Sequence, residues 1–533
     1  MRNLSNPLSA IRGMFNRKRV QSDIREFIQH NESVFPRHRT EGNGPVFLME
    51  IHSMASAIIG YSYLASIVSE KYNATVVGYV PTVKMSRGYQ TQDKHTLSTL
   101  DIYQSFCADT IVFPQISYEM DLEARQICSE LERNIKTKRQ FEELCVHEVE
   151  IGALIYDSYL RENGEPTIDI GSQKLSECLL TAVREFLFWQ KYFKENQVCG
   201  INVSHCVYTH ALPLRIAIHL DVPAYQINAT HAYRLNSKDT HAYNDFKYFP
   251  TIFRSIDSTQ REAGLELARS RLERRFSGEV GVDLRYSTKS GFSSSRSERL
   301  LSKNPGKKKI LVATHCFSDS PHAYGKNIFP DFYEWMECLG QLSNETDYDW
   351  YVKTHADFLP KSREVTQLFV NKYPKFNMLP ADCSHTQLVA EGIDVCLTVF
   401  GTIAYEYAAM GIPTITASEN CPTIAYDFNY HPRTVQEYRN TLLSLDKFEL
   451  PIDRRKVYEW YFMAHLYHTE NWLFGDYDSA MKALGGGYYE QFKPRMYRHW
   501  VKNCWNIVHH RQVMNSLNCF IESGDLRLDA RHV

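Results

Sequence analysis

Residues 399–413 read VFGTIAYEYAAMGIP. An apolar run ends at Gly401 and Thr402, a helix-forming stretch carries Glu406 one turn inside it, and Gly411, Ile412 and Pro413 close it. The run begins at IDVCLTVF (393–400) and PTITA (413–417) follows, so the segment reads strand, tight turn, helix, strand. The same alternation extends upstream. KKKILVATH (307–315) is a short apolar run after a basic segment, and a helical stretch covers 329–342. DWYVKTH (349–355) is a second strand, and SREVTQLFVNKY (362–373) places Val365, Leu368 and Phe369 on one helical face. FNMLP (376–380) and TQLVAEG (386–392) continue the pattern. Strands separated by single helices require right-handed crossovers, hence a parallel, doubly wound sheet.

The first half alternates less regularly. GPVFLMEIH (44–52) reads as a strand with polar residues at its end, and a helix follows with Ala55, Ile58, Ile59, Tyr63 and Leu64 on its apolar side. ATVVGYV (74–80) and DTIVFPQ (109–115) are further strands, and residues 118–197 are mostly helical. GINVSHCVYTH (200–210), ALPLRIAIHL (211–220) and PAYQIN (223–228) then give strand, helix, strand. Between the halves, STKSGFSSSRSERLLSKNPGKKK (287–309) has the Ser, Lys and Gly content of an exposed linker. The organisation expected is a leader (1–40), an N-terminal Rossmann-like domain with a helical insert (41–286), a linker (287–306), a C-terminal Rossmann-like domain (307–430) and a helical tail (431–533). Two such halves would face a cleft lined by the C-terminal ends of both sheets.

At 533 residues the chain has room for about two to four domains. A net charge of −2 gives no sign of a nucleic-acid partner. The thirteen cysteines are odd in number and none forms a CxxC pair, which reads as reduced thiols of a cytoplasmic protein. The longest apolar runs fall far short of the roughly 20 residues that cross a bilayer. The N-terminus lacks the apolar core and cleavage site of a signal peptide. Leu8, Ile11, Met14 and Phe15 lie near one helical face with Arg12, Arg17, Lys18 and Arg19 nearby. That is a solvated leader helix, or alternatively one lying on an anionic inner-membrane surface.

Three strand ends carry the chemistry. Gly401 and Thr402 sit where a helix begins, and free N–H groups and the helix dipole favour an anion there. Glu406 projects from the same face as Thr402, within reach of a ribose or sugar hydroxyl. Lys353 and His355 end a second strand at the same sheet edge. His315 ends a third, followed by Ser318, Asp319 and Ser320.

With these residues the second half resembles the nucleotide-binding domain of GT-B glycosyltransferases. It is most similar to bacterial capsule and surface-polysaccharide transferases of the Kdo-transferase type. Lys353, His355, Ser384, Leu388, Asp394, Gly401, Thr402, Glu406, Gly411 and Pro413 match the pattern K-x-H-P, S-x-x-L, D-x-V-x-T-x-x-G-T/S-x-x-x-E-A and G-x-P-V. Over 44–430 the likeness is specific in the second half and looser in the first. Ala356 replaces the usual proline. Thr398 stands where retaining enzymes often carry a glutamate, which tilts the expectation towards inversion.

The resemblance implies His315, Ser318, Lys353, His355, Ser384, Gly401, Thr402 and Glu406 as donor contacts, with His355 also serving the leaving group. It implies an acceptor-side base from the N-terminal half. Asp157 is the first candidate, with Arg161 one turn on, although the two are also spaced as an ordinary i,i+4 helix pair. Glu50, His52 and His210 are further strand-end residues assigned to the acceptor. No metal or other cofactor is expected, and DYD (347–349) reads as a strand start. The expected partners are a nucleotide-sugar donor and a glycan or glycolipid acceptor. A CMP-activated acid sugar is implied alongside UDP and GDP donors. A nucleotide-sugar 2-epimerase, a teichoic-acid-type transferase and a non-catalytic scaffold are the alternatives. Beyond residue 435 the aromatic, basic tail reads as a helical cap. Its cluster of Arg495, Arg498, His499, Lys502, His509, His510 and Arg511 with Trp500 and Trp505 could also touch a membrane or a polyanionic glycan.

Overall fold

The computed structural model describes residues 7–35, 44–90, 97–106, 108, 110–284, 287, 289–293, 296–355, 360–468, 471–529 and 532. Ala356 lies outside them, as do the side chains of Leu8, Ile11, Arg12, Met14, Phe15 and Arg17. No described helix is long and apolar enough to cross a membrane.

Thirteen strands are described: β1 (Val46–Glu50), β2 (Thr75–Tyr79), β3 (Thr110–Val112), β4 (Cys145–Val146), β5 (Val149–Glu150), β6 (Val198–Asn202), β7 (Ala224–Ile227), β8 (Ala232–Leu235), β9 (Lys309–Ala313), β10 (Asp349–Lys353), β11 (Phe376–Met378), β12 (Val395–Thr398) and β13 (Thr414–Thr416). They build a six-stranded sheet ordered β3-β2-β1-β6-β7-β8, a five-stranded sheet ordered β11-β10-β9-β12-β13, and the β4-β5 hairpin. Every pairing in the five-stranded sheet is parallel, and only β7–β8 is antiparallel in the six-stranded one. Both sheets therefore have the doubly wound order in which the chain builds outward on one side and then returns to the other. The reversal falls between β1 and β6 in one sheet and between β9 and β12 in the other. Ligands of such sheets bind at the carboxyl ends of the strands flanking that switch point.

Burial follows the strand period. Ile310 and Val312 of β9 pack with Trp335 and Leu339 of the helix Phe332–Glu345, whereas Leu311 packs on the other face with Leu388 and Tyr407. Helices thus cover both faces, as an all-parallel sheet requires. Each of these three β9 side chains is fully buried, a contribution of about 1.5–3 kcal/mol apiece. In the six-stranded sheet Phe47 and Met49 face the helix Ala55–Tyr72, which is buried from Ala55 to Ser69.

The chain forms two compact units that interleave in sequence. One comprises 1–128, 180–242 and 469–533; the other comprises 129–179 and 243–468. The continuous boundaries expected at 41–286 and 307–430 therefore do not describe the units. The segment 129–179 belongs with the second sheet because its polar groups are satisfied there. Arg139 donates to the carbonyls of Asn327 and Ile328 at 2.9 and 2.8 Å, and Thr167 donates to Asp331 at 2.5 Å.

The tail is divided as well. The helix Arg454–Phe462 packs in the second unit, and the helix Ile507–Ser523 packs in the first. The leader is tied down from residue 23 on: Phe27 stacks on Tyr497 at 4.5 Å and Arg498 pairs with Asp23 and Glu26. Within the basic, aromatic tail cluster Trp500 is fully buried, Lys502 and Arg511 are exposed, and the remaining members are half-buried. The presumed linker is also anchored over its described residues. Glu391 accepts the backbone N–H groups of Leu300 and Leu301 at 2.8 Å, and Leu301 is buried. A Ser- and Lys-rich composition does not reveal such a backbone clamp.

Candidate functional site

The second unit presents its polar strand ends at its switch point. His315 follows β9 and Gly401 follows β12, the two flanking strands. His315 Nε2 lies 3.1 Å from Thr398 Oγ1 and 3.3 and 3.4 Å from the N–H groups of Val399 and Phe400. The ring stacks on Phe332, with centroids 4.5 Å apart at 11°. Burial, reinforced by His355, lowers its pKa to about 3. His315 is therefore neutral, with Nε2 accepting and the remaining proton on Nδ1. Thr398 Oγ1 in turn accepts the Gly401 N–H at 3.2 Å. A Cβ at position 401 would come within 2.9 Å of that hydroxyl oxygen, so the turn needs glycine. Thr402 occupies the N-cap position of the helix Ile403–Met410 without a side-chain capping hydrogen bond, and the Ala404 N–H is taken by the Gly401 carbonyl at 3.0 Å. Gly411 ends it at φ 87°.

Several expected donor contacts are otherwise engaged. Glu406 is buried and pairs with Arg275, at 2.6 Å to Nε and 2.5 Å to a terminal nitrogen. It faces the helix Ser258–Phe276 rather than a ligand hydroxyl, because an unpaired carboxylate there would be costly. Lys353 is buried and donates to the Ala381 carbonyl at 3.0 Å, and desolvation lowers its pKa. Ser384 donates to the Phe292 carbonyl at 3.1 Å and so fixes a neighbouring loop. Ser318 is buried, and His355 is exposed just beyond β10.

Asp157 does not come from the first unit. It lies in the helix Gly152–Asn163, fully buried in the second, with Oδ1 2.6 Å from His322 Nδ1. Glu142 approaches His322 Nε2 at 3.4 Å. Burial pushes Asp157 up, but the two carboxylates raise His322 to about 10 despite its own desolvation. His322 is thus held as an imidazolium between the Asp157 and Glu142 side chains. Such an enclosed ion pair holds the insert in place and does not present a base to a hydroxyl in solution. Arg161 makes a 3.4 Å pair with Asp319, both half exposed, worth at most about 1 kcal/mol.

The first unit carries a second polar group at its own switch point. Glu50 ends β1 fully buried, and Ser204 just after β6 gives it both a backbone N–H at 2.6 Å and its hydroxyl at 2.5 Å. Burial raises Glu50 to about 7. His52 Nδ1 accepts the Met54 N–H at 3.2 Å. The rings of His52, His205 and His210 follow one another at 6.0 and 6.3 Å. Burial lowers His52 to about 3 and His210 to about 4; His205 keeps a solvent-exposed edge, yet the desolvating surroundings also lower it below its ordinary range. All three are neutral at pH 7. Ser204 and His205 escaped the sequence reading although they directly follow the strand, in VSHC. Arg275 could not have been paired with Glu406 across 131 residues. Among the described residues no cluster of His, Cys, Asp and Glu could hold a metal ion.

Two Rossmann-like units, each with polar residues at its switch point, place the chain in the GT-B fold class. No protein-family description and no curated protein matches it. Among solved structures it is similar to KpsC of Thermosulfurimonas dismutans, a β-Kdo 2,4 transferase, at 10% identity over 56% of this chain and 88% of that one, with a TM-score of 0.32. It is also similar to S. aureus MnaA with UDP, at 12% identity over 90% and 97% with a TM-score of 0.25. Acinetobacter baumannii MurG gives 9% identity over 79% and 94%, with a TM-score of 0.22. These likenesses are loose, and the class rests on the strand orders above.

Proposed function

We propose that the chain is a glycosyltransferase that moves a sugar from a nucleotide-activated donor to a bacterial surface glycan, with inversion and without a metal. The observation that carries this reading is the turn between β12 and the helix Ile403–Met410, buttressed by His315 at the switch point of a parallel sheet. Gly401 and Thr402 would hold the donor phosphate at the N-terminus of the helix, the Gly401 N–H itself being committed to Thr398, and His355 would meet its charge. Glu406 supports the helix through Arg275 and is given no sugar contact. The acceptor, a glycan or glycolipid at the cytoplasmic membrane face, is assigned to the Glu50, His52 and His210 side. The resemblance to the Kdo-transferase type puts CMP-activated acid sugars among the candidate donors, beside UDP- and GDP-sugars.

The test is to incubate the protein with CMP-, UDP- and GDP-sugars, with and without glycan acceptors, and measure nucleotide release. Release that requires an acceptor supports the reading. Interconversion of a UDP-sugar with no acceptor present would instead identify a 2-epimerase.

A further inference from the structure

Glu50, Ser204 and His205 form one hydrogen-bonded chain at the ends of β1 and β6. Ser204 donates its N–H to one Glu50 oxygen at 2.6 Å and its hydroxyl to the other at 2.5 Å. The hydroxyl proton is thereby used, so Ser204 Oγ can only accept from His205 Nδ1, 2.9 Å away. That fixes the tautomer: the proton sits on Nδ1 and Nε2 carries a lone pair on an exposed ring. The loop is held under strain. Tyr208 has φ 62° and ψ 172°, a region almost reserved for glycine. Neither Glu50 nor Ser204 needs His205 to be satisfied, so packing alone does not account for the ring's position.

We propose that His205 Nε2 is the base that takes the proton from the acceptor hydroxyl, with Ser204 and Glu50 fixing its tautomer and stabilising the imidazolium. The proposal rests on the transferase reading above. The acceptor O–H proton passes to Nε2 as the oxygen lone pair forms the bond to the donor's anomeric carbon. The electron pair of the breaking carbon–oxygen bond leaves on the nucleotide phosphate. Nδ1–H then points a positive charge through Ser204 at the Glu50 carboxylate.

The titratable surroundings agree with this role. Glu50 ends β1 and His52 follows it; from the loop after β6 come buried Cys206 and, beyond it, His210 with Lys84 close by. Desolvation holds His205 neutral, the form a base needs, and the two neighbouring imidazoles are neutral as well, so the carboxylate reached through Ser204 is the acidic group linked to the ring. Glu50 is ionised only above about pH 7. The rate is therefore expected to fall on the acid side through that value.

The test uses the full chain with three variants. His205→Gln is expected to lower kcat about a hundredfold or more, with donor KM and nucleotide affinity unchanged. Added imidazole is expected to restore part of the rate to His205→Ala, which a structural role would not allow. Glu50→Gln is expected to shift the acid limb of the pH profile to lower pH, leaving the limb set by protonation of His205 itself. Nitrogen-15 NMR of the histidine rings is expected to show His205 protonated at Nδ1, and Ser204→Ala to abolish that preference. Undiminished kcat in His205→Gln, no imidazole rescue, or an Nε2-protonated His205 overturns the proposal alone. No transfer by the wild type, with or without nucleotide binding, overturns it together with the reading it rests on.

Discussion

His315 and Thr398 meet across the switch point of the second sheet, imidazole Nε2 to hydroxyl Oγ1 at 3.1 Å. The same Thr398 oxygen accepts the Gly401 N–H, and the same Nε2 accepts from Val399 and Phe400. One neutral ring therefore sets the backbone of the whole turn. A threonine suits this position because its hydroxyl both donates to the ring and accepts from the glycine.

Replacing His315 with alanine leaves these turn donors without an acceptor, at about 1–3 kcal/mol for a buried group. The sheet has its own core, so the unit is expected to stay folded with a lower melting temperature. Nucleotide affinity is expected to fall about tenfold or more, measured by calorimetric titration. Unchanged affinity would mean that the turn does not hold the phosphate.

Arg275 and Glu406 are both buried, so each depends on the other. Removing one partner is expected to destabilise the second unit by about 3–5 kcal/mol. Arg275→Met combined with Glu406→Leu should recover most of that loss. Chemical denaturation of both single variants and the double variant measures the coupling. Additive losses would show that the pair is not the contact that anchors the helix.

His322 is raised from an ordinary 6.5 to about 10 by the carboxylates beside it. A raised pKa means the folded state holds its proton more tightly than the unfolded chain does. The contribution is complete below about pH 6.5 and fades as pH climbs towards 10. Wild type is therefore expected to exceed His322→Gln in stability at pH 6, with the gap narrowing by pH 10. A gap that stays constant in denaturation across this range would refute the imidazolium.

The strands of both sheets were legible because short apolar runs bounded by polar turns have few other readings. Lys309–Ala313, Asp349–Lys353 and Val395–Thr398 lie within the segments expected. The antiparallel β8 and the β4-β5 hairpin were not, being two to four residues long without alternation. The destination of 129–179 was invisible because it is decided by distant partners such as Asp331 and His322. The same holds for the candidate site: motif spacing singled out Gly401 and Thr402, which lie at the turn after β12, whereas the burial of Glu406 and Asp157 depends on Arg275 and His322, far away in sequence.

The most direct measurement is calorimetric titration of CMP, UDP and GDP into wild type and Gly401→Val. A side chain at 401 would collide with Thr398 Oγ1, starting from a Cβ 2.9 Å away, and displace the turn without touching the sheet core. The account predicts that at least one nucleotide binds the wild type and that Gly401→Val weakens it at least about tenfold, or about 1.4 kcal/mol. Binding of no nucleotide, or equal binding by the variant, would contradict it.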